Sequence, residues 1–528
     1  MRSLIPMALA LVSCVSPPAV QPPARPRPTT PVDRAAPAPA TDGMNGGRLR
    51  IIATNDFHGA LFSRPDGRGV VRGGGAYLAT MAERLAASCP QPCETLLLDG
   101  GDMFQGTPAS NLAWGRPVVQ LFNAMGYAAA ALGNHEFDWG QDTLRARMRQ
   151  AQFAILGANV RDLNGRDVDW IRNDTIVVRG QWRVGIIGIA RVKTPEASYA
   201  ANVAGLRFDP PAPIVDSIGR ALRARGANAI VVIAHEGAFC DREGCKGEIV
   251  DLANQVTEPL DAIVSGHTHS LVDAVIRNIP IVQARSRGTA IATIDLVRGH
   301  AGADADRGRV HDVLPESLPA SPVARDIVTA AFEAVASTVF QKVAIFAVAM
   351  PKDGKQHALG NFIADAQRAA GKSDIAVMNN GGIRAGLEAG PAVYGSMYEV
   401  QPFANVLVRK SVSGLVLREY LERLVGGDGV DAHVSGVMVE FDPARPRGAR
   451  ITSLRLDGGR TLDDKATYTV TLSDFMAGGG DRFGFDGRES RTDNLAIVDL
   501  DALIAYARAQ PQPIQPRTAI RLSPVSRK

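Results

Sequence analysis

The chain has 528 residues, of which 45% are hydrophobic and 21% charged, and its formal net charge is +4. That length exceeds one ordinary core, so at least two domains are expected. Lys and Arg are dispersed, with no basic stripe interleaved with aromatics. This speaks against a nucleic-acid polymer as partner and leaves room for a small anion held in a local basic pocket.

The chain opens with Met1-Arg2 and an apolar run at 4–12, too short to span a bilayer as a mature helix. Leu11-Val12-Ser13-Cys14 resembles a bacterial lipobox, which implies a leader over 1–13, cleavage before Cys14 and a lipid anchor on its thiol. The alternative is an ordinary signal peptide, with Cys14 incidental. Residues 14–47 are rich in Pro and Ala with few large apolar side chains, the composition of an extended tether.

An apolar strand at 49–54 then runs into TNDFHG, carrying Asp56 and His58. Helical spacing at 76–87 precedes a strand at 95–98 that ends at Gly100-Gly101-Asp102. A helix at 117–125 has Pro at its start. The run at 128–132 leads into GNHEFD, with Asn134, His135 and Asp138. Strands at 183–189, 229–234 and 262–264 follow; the last two end at His235 and at SGHTH, with His267 and His269. Strands alternating with helices imply an α/β sandwich built from βαβ units, whose strand ends bring distant residues together.

Four cysteines remain beyond Cys14: Cys89, Cys93, Cys240 and Cys245. An even number in an exported chain suggests disulfides. Pairing between sequence neighbours is the most economical of three possible patterns. A zinc site at the CxxxC is the rival, but no His ligands stand nearby at zinc-finger spacing.

Beyond residue 315 the texture changes. Pro315, Pro319 and Pro322 punctuate a boundary, and a helix at 324–340 could join two domains. A second domain contains a helix at 361–370, a strand at 374–378, a helix at 413–424 and strands at 436–441 and 468–472. This reads as α/β or α+β.

Five of the nine histidines sit in the five motifs of the first 270 residues. Oxygen and imidazole donors without thiolate suit hydrolytic ions. Seven donors exceed the needs of one metal and suit two, with Asp102, after two glycines, as the bridging carboxylate.

The order and wording of these motifs resemble the calcineurin-like metallophosphoesterases, and more narrowly the secreted 5′-nucleotidase and UDP-sugar hydrolase family. LGNFIADA (residues 359–366), NNGGIR (379–384), QPFANV (401–406) and GGGDRF (478–483) extend the resemblance over nearly the whole chain. It implies a four-layer αββα sandwich at 48–315, a linker helix at 316–341 and a smaller α/β (α+β) substrate-binding domain at 342–525. It further implies two divalent metals (Zn, Mn, Mg or Co). Asp56, His58, Asp102 and His269 would hold one; Asp102, Asn134, His235 and His267 would hold the other. His135 and Asp138 resemble the family's catalytic dyad, in which the carboxylate orients and charges the imidazole.

In the second domain Phe403 and Phe483 fall in the family's two base-clasp motifs, Arg384 resembles a phosphate-binding arginine, and Asn379 could read a base edge. Two departures stand out. Lys355 falls near a position where relatives carry Arg, and Arg482 replaces a common Gly, where it could add a contact or narrow the pocket. The expected activity is hydrolysis of extracytoplasmic nucleoside 5′-monophosphates, with UDP-sugars as possible further substrates. The alternatives are a 2′,3′-cyclic-nucleotide phosphodiesterase with 3′-nucleotidase activity, for which relatives often have Asn in place of Asp138, and an idle surface-anchored binding protein. The expected partners are the nucleotide and, through Cys14, a membrane; nothing implies a protein partner.

Overall fold

The computed structural model describes residues 47–66, 68–297, 308–426 and 430–525. The leader, Cys14 and all of the tether but Gly47 lie outside the described residues.

Two six-stranded sheets face each other in the N-terminal half. The first runs, edge to edge, Arg309–Asp312, Ala290–Val297, Arg48–Thr54, Cys93–Asp99, Ala129–Ala131 and Ala154–Leu156. The second runs Leu271–Ile276, Ile279–Ala284, Ala262–Val264, Ala229–Ala234, Trp182–Ile189 and Asp174–Arg179. In each sheet four neighbouring strands are parallel and the remainder antiparallel.

Side-chain alternation explains the layering. Leu49, Ile51 and Ala53 enter the core between the sheets with Leu96, Leu98, Ile186 and Val231. Ile52, Leu97 and Ala130, on the opposite face, pack under helices Gly75–Ala87 and Arg116–Met125. Ile187, Ile230 and Val232 pack likewise against Pro211–Ala224 and Glu248–Gln255. Strands buried on both faces between two outer helix layers give the four-layer sandwich.

The stretch expected as one joining helix is two, Pro322–Glu333 and Ala336–Val339. The first packs against the two helices over the first sheet, and Ala324, Ala331 and Val335 join their core. It completes the N-terminal half instead of merely spanning a gap.

The C-terminal half is built on a five-stranded sheet ordered Ala432–Ser435, Ile375–Asn379, Thr467–Ser473, Val406–Ser413 and Arg491–Val498. Helices Ala358–Gly371 and Asp499–Ala509 cover one core, and Gly414–Leu424 covers another. Ser413 caps the last of these helices by accepting from the Val416 N–H at 3.3 Å. The disulfides join Cys89 to Cys93 and Cys240 to Cys245. Among the described residues no helix is long and apolar enough to cross a membrane.

Leu98 is fully buried between the sheets, one residue before its strand ends. Leu98→Ala should lower unfolding free energy by about 2–5 kcal/mol, measured by urea denaturation. A loss below about 1 kcal/mol would show that the sheets do not pack through this position.

Candidate metal centre and cleft

Five parallel strands deliver the seven donors at their C-terminal ends. Asp56 and His58 follow Arg48–Thr54, Asp102 follows Cys93–Asp99 and Asn134 follows Ala129–Ala131. His235 follows Ala229–Ala234, and His267 and His269 follow Ala262–Val264. Two groups form, Asp56 with His58 and His269, and Asp102 with His235 and His267; within each, the donor atoms lie within 4.8 Å of one another. The groups adjoin at Asp102 Oδ2, which stands 3.0 Å from His235 Nε2 and 3.8 Å from His58 Nε2.

Convergence is achieved by unusual backbone. Asp56, His58, Asp102, His267 and His269 have φ of 50°, 50°, 57°, 76° and 55°. Left-handed conformations are uncommon outside Gly and cost on the order of 1 kcal/mol or more each. The turn after Thr54 is therefore made in part by two of the donors themselves. Backbone bonds hold the turns: Asp56 N–H donates to Gly101 O at 2.8 Å and His58 N–H to Asp102 O at 3.0 Å. The buried Glu136 carboxylate accepts from the backbone N–H of Asp102 (2.9 Å), Met103 (2.8 Å) and Gly133 (2.8 Å). Gly133 is required for space, since a Cβ there would stand 2.1 Å from Asp102 Oδ1.

His58 Nδ1 lies 2.8 Å from Gln105 O and His235 Nδ1 lies 2.9 Å from Gly100 O. A carbonyl only accepts, so each Nδ1 carries a proton and Nε2 is the ring atom that faces the centre. Burial lowers the His58 pKa well below its ordinary value, reinforced by His269. Burial acts the same way on His235, but Asp102 outweighs it and lifts that ring to about 10. Burial also opposes charge on Asp102, yet His235 and His135 hold its carboxyl well below the usual range. Asn134 Oδ1 is buried without a hydrogen-bond partner among the described residues. An orphaned acceptor of this kind is costly unless something binds it, and this oxygen and imidazole set fits a divalent cation.

His135 Nδ1 lies 2.8 Å from Asp138 Oδ2, within one short 3₁₀ turn. Burial works against a charged His135, but Asp138 and Asp102 overcome it and raise its pKa. The Phe403 ring stacks on the His135 ring, with centroids 5.6 Å apart and planes 21° apart. The Arg384 guanidinium carbon lies 5.7 Å from the Phe403 centroid. Phe403 and Arg384 come from the C-terminal half, so both halves shape this point.

A cavity of about 300 Å³ runs from here. Asn134, His135, Asp138 and His267 line it from the N-terminal half, and Asn379, Arg384 and Phe403 from the C-terminal half. Two expected pocket residues are not brought to it. Lys355 is solvent-exposed and does not line it, and the same holds for Lys352. Phe483 lines a neighbouring cavity and packs on the C-terminal core. Phe475 and Tyr199 share the cavity with Phe403. Asn405, Asp474 and Asp481 also line it, and Asn379 Nδ2 donates to Asp481 Oδ2 at 2.7 Å. Asn405 and Asp481 lie inside QPFANV and GGGDRF, so their motifs did signal them. Phe475 lies just before GGGDRF, and only the fold of that loop distinguishes it from Phe483. Arg482 narrows no wall of this cavity; it reaches Glu196 of the N-terminal half at 3.2 Å, with both side chains exposed.

Comparison with known proteins matches both halves. Residues 49–271 fit the calcineurin-like phosphoesterase family and residues 335–486 fit the 5′-nucleotidase C-terminal domain. Endonuclease YhcR of Bacillus subtilis (strain 168) is 28% identical over 490 residues, covering 88% of this chain, which spans only 40% of that protein's length. A 5′-nucleotidase of Vibrio cholerae is 26% identical over 529 residues, covering 90% of this chain and 92% of its own. The crystal structure of a 5′-nucleotidase precursor from Thermus thermophilus superposes with a TM-score of 0.79 at 27% identity, covering 91% of this chain and 100% of that one. With a phosphoesterase domain and a 5′-nucleotidase C-terminal domain in this order, the chain belongs to the 5′-nucleotidase family.

Proposed function

We propose that the protein hydrolyses nucleoside 5′-monophosphates to nucleoside and phosphate with two divalent metal ions. The observation that carries this reading is one cavity lined by Asn134, His135, His267 and Arg384 together with the rings of Phe403 and Phe475. Such a cavity suits a molecule that carries both a phosphate and a flat aromatic group.

Asp56, His58, Asp102 and His269 would hold one ion; Asp102, Asn134, His235 and His267 would hold the other. When bound, the two ions neutralise the phosphate ester and acidify water, creating a nucleophile near neutral pH. His135, held charged by Asp138, stabilises the phosphoryl oxygens and protonates the departing ester oxygen. Arg384 pairs with the phosphate through its planar fork. Phe403 and Phe475 stack on the base, a contact tolerant of base identity, while Asn379, Asn405 and Asp481 supply polar partners for sugar and base. The working division is a catalytic domain at 48–315, a linker at 316–341 and a substrate domain at 342–525. We place the protein outside the cytoplasm, anchored through lipidated Cys14. Both disulfides support an oxidising compartment.

Asp102→Ala should remove metal from both groups, so elemental analysis should find less than half the wild-type content, and phosphate release from AMP should nearly vanish. His135→Ala should keep its metal and lose about 10²- to 10⁴-fold in kcat. Loss of metal from His135→Ala would make that residue a ligand and overturn the dyad.

Phe403→Ala and Phe475→Ala should each lower kcat/KM for AMP by about ten- to a hundredfold, the worth of one stacking contact. Glycerol phosphate, which has no base, should change much less, and Phe483→Ala should leave AMP hydrolysis within about threefold of wild type. Equal losses on both substrates would mean these rings support the fold and do not clasp a base. Mass spectrometry of the mature N-terminus should find diacylglycerol on Cys14; a soluble product starting elsewhere refutes the anchor.

A further inference from the structure

A second cavity adjoins the first, and Ala197, Gly381 and Asp481 line both. It is the larger, about 690 Å³ against about 300 Å³. None of Asn134, His135, His267 or Phe403 belongs to the shared wall. On the function proposed above, which this inference rests on, the part of a nucleotide facing that wall is the sugar. Asp481 is suited to meet it, since a carboxylate accepts from sugar hydroxyls. A nucleoside 5′-monophosphate ends at this wall and leaves the second cavity unused.

Two donors in the second cavity lack acceptors. The Arg191 side chain is 14% exposed, its nearest ion-pair contact to Glu236 is 3.6 Å, and its Nε is buried without a hydrogen-bond partner among the described residues. Tyr420 is 1% exposed, and its hydroxyl is likewise buried and unpartnered among the described residues. The other cations of the cavity are closer to carboxylates: Lys193 lies 3.1 Å from Glu248, Arg482 lies 3.2 Å from Glu196, and Arg423 pairs with Asp486. A largely buried guanidinium with an unpartnered Nε and a phenol with an unpartnered hydroxyl, both on residues lining this cavity, suit an anionic, acceptor-rich group, and phosphate is the one a nucleotide can carry there.

We propose that this cavity is a subsite for a phosphoryl group on the ribose 3′-oxygen, so that nucleotides phosphorylated at both 5′ and 3′ positions are preferred over 5′-monophosphates. In the reaction the water oxygen bonds to the 5′ phosphorus and the P–O5′ bond breaks. O5′ leaves with a proton, and the products are inorganic phosphate and a nucleoside 3′-phosphate. The 3′ phosphoryl group is untouched. It can be a terminal phosphate or the first internucleotide diester of a 5′-phosphorylated dinucleotide; both present the same anion to Arg191.

The test compares AMP, adenosine 3′,5′-bisphosphate and the dinucleotide pApA on the full metal-loaded enzyme, by kcat/KM and by calorimetric binding. The bisphosphate, the dinucleotide or both should exceed AMP by about tenfold, the share of one charge-assisted hydrogen bond. Adenosine 3′-phosphate should be the product of the bisphosphate. Arg191→Gln should erase the preference. Tyr420→Phe, which removes only an unpartnered hydroxyl, should reduce it several-fold while AMP turnover stays within about twofold. Equal values for all three substrates, or a preference that survives both substitutions, overturns the subsite. Absence of AMP turnover alongside a binding preference that Arg191→Gln removes would instead overturn the proposed reaction and leave the subsite standing.

Discussion

The centre depends on one buried carboxylate that belongs to neither donor group. Glu136 accepts three backbone N–H bonds, two from the loop carrying Asp102 and one from Gly133. It ties the end of one parallel strand to the end of its neighbour, and so sets where Asp102 stands relative to Asn134 and His135. Asp102 Oδ1 in turn accepts from the His135 N–H at 2.9 Å. Each bond fixes a loop that would otherwise relax out of its left-handed conformation. The strain of five inward-turned donors persists because the surroundings over-determine it.

The two halves of the molecule meet at the cleft mainly through polar contacts. Arg287 donates to the Arg384 carbonyl at 3.0 Å, Asn111 donates to the Pro402 carbonyl at 3.2 Å, and Arg64 pairs with Glu399. Arg384 lines the cavity and Pro402 precedes Phe403, so these bonds tie that wall to the N-terminal half. Burial and the neighbouring Arg384 lower the Arg287 pKa to about 10.

Much of this was legible in one dimension. Apolar runs ending in Gly-punctuated polar residues located the strand ends, because a strand buried on both faces leaves that trace and its loop must then turn. The two helices over the first sheet showed the same clarity, since a helix covering a sheet carries its apolar residues at helical spacing. The C-terminal cleft was less legible. Phe475 and Phe483 lie within one short loop, and which of them faces the cavity depends on the backbone at Asp481 and Arg482, whose φ values are 50° and 65°. Neither residue type announces a left-handed turn. The break after Glu333 was hidden because Ala334 and Val335 carry no helix-stopping side chain; tertiary packing ends the helix there.

All seven donors come from the N-terminal domain, while Phe403, Phe475 and Arg384 come from the C-terminal one. The two tasks are therefore separable by inheritance. Changes around Phe403, Phe475 or Asp481 can alter which molecule is held without touching a donor atom. A lineage built this way can explore new substrates through drift in one domain while the chemistry in the other stays constant. Divergence in specificity should accumulate on the C-terminal side of the boundary faster than on the strand-end loops, where a single added methyl, as at Gly133, collides with the Asp102 carboxylate.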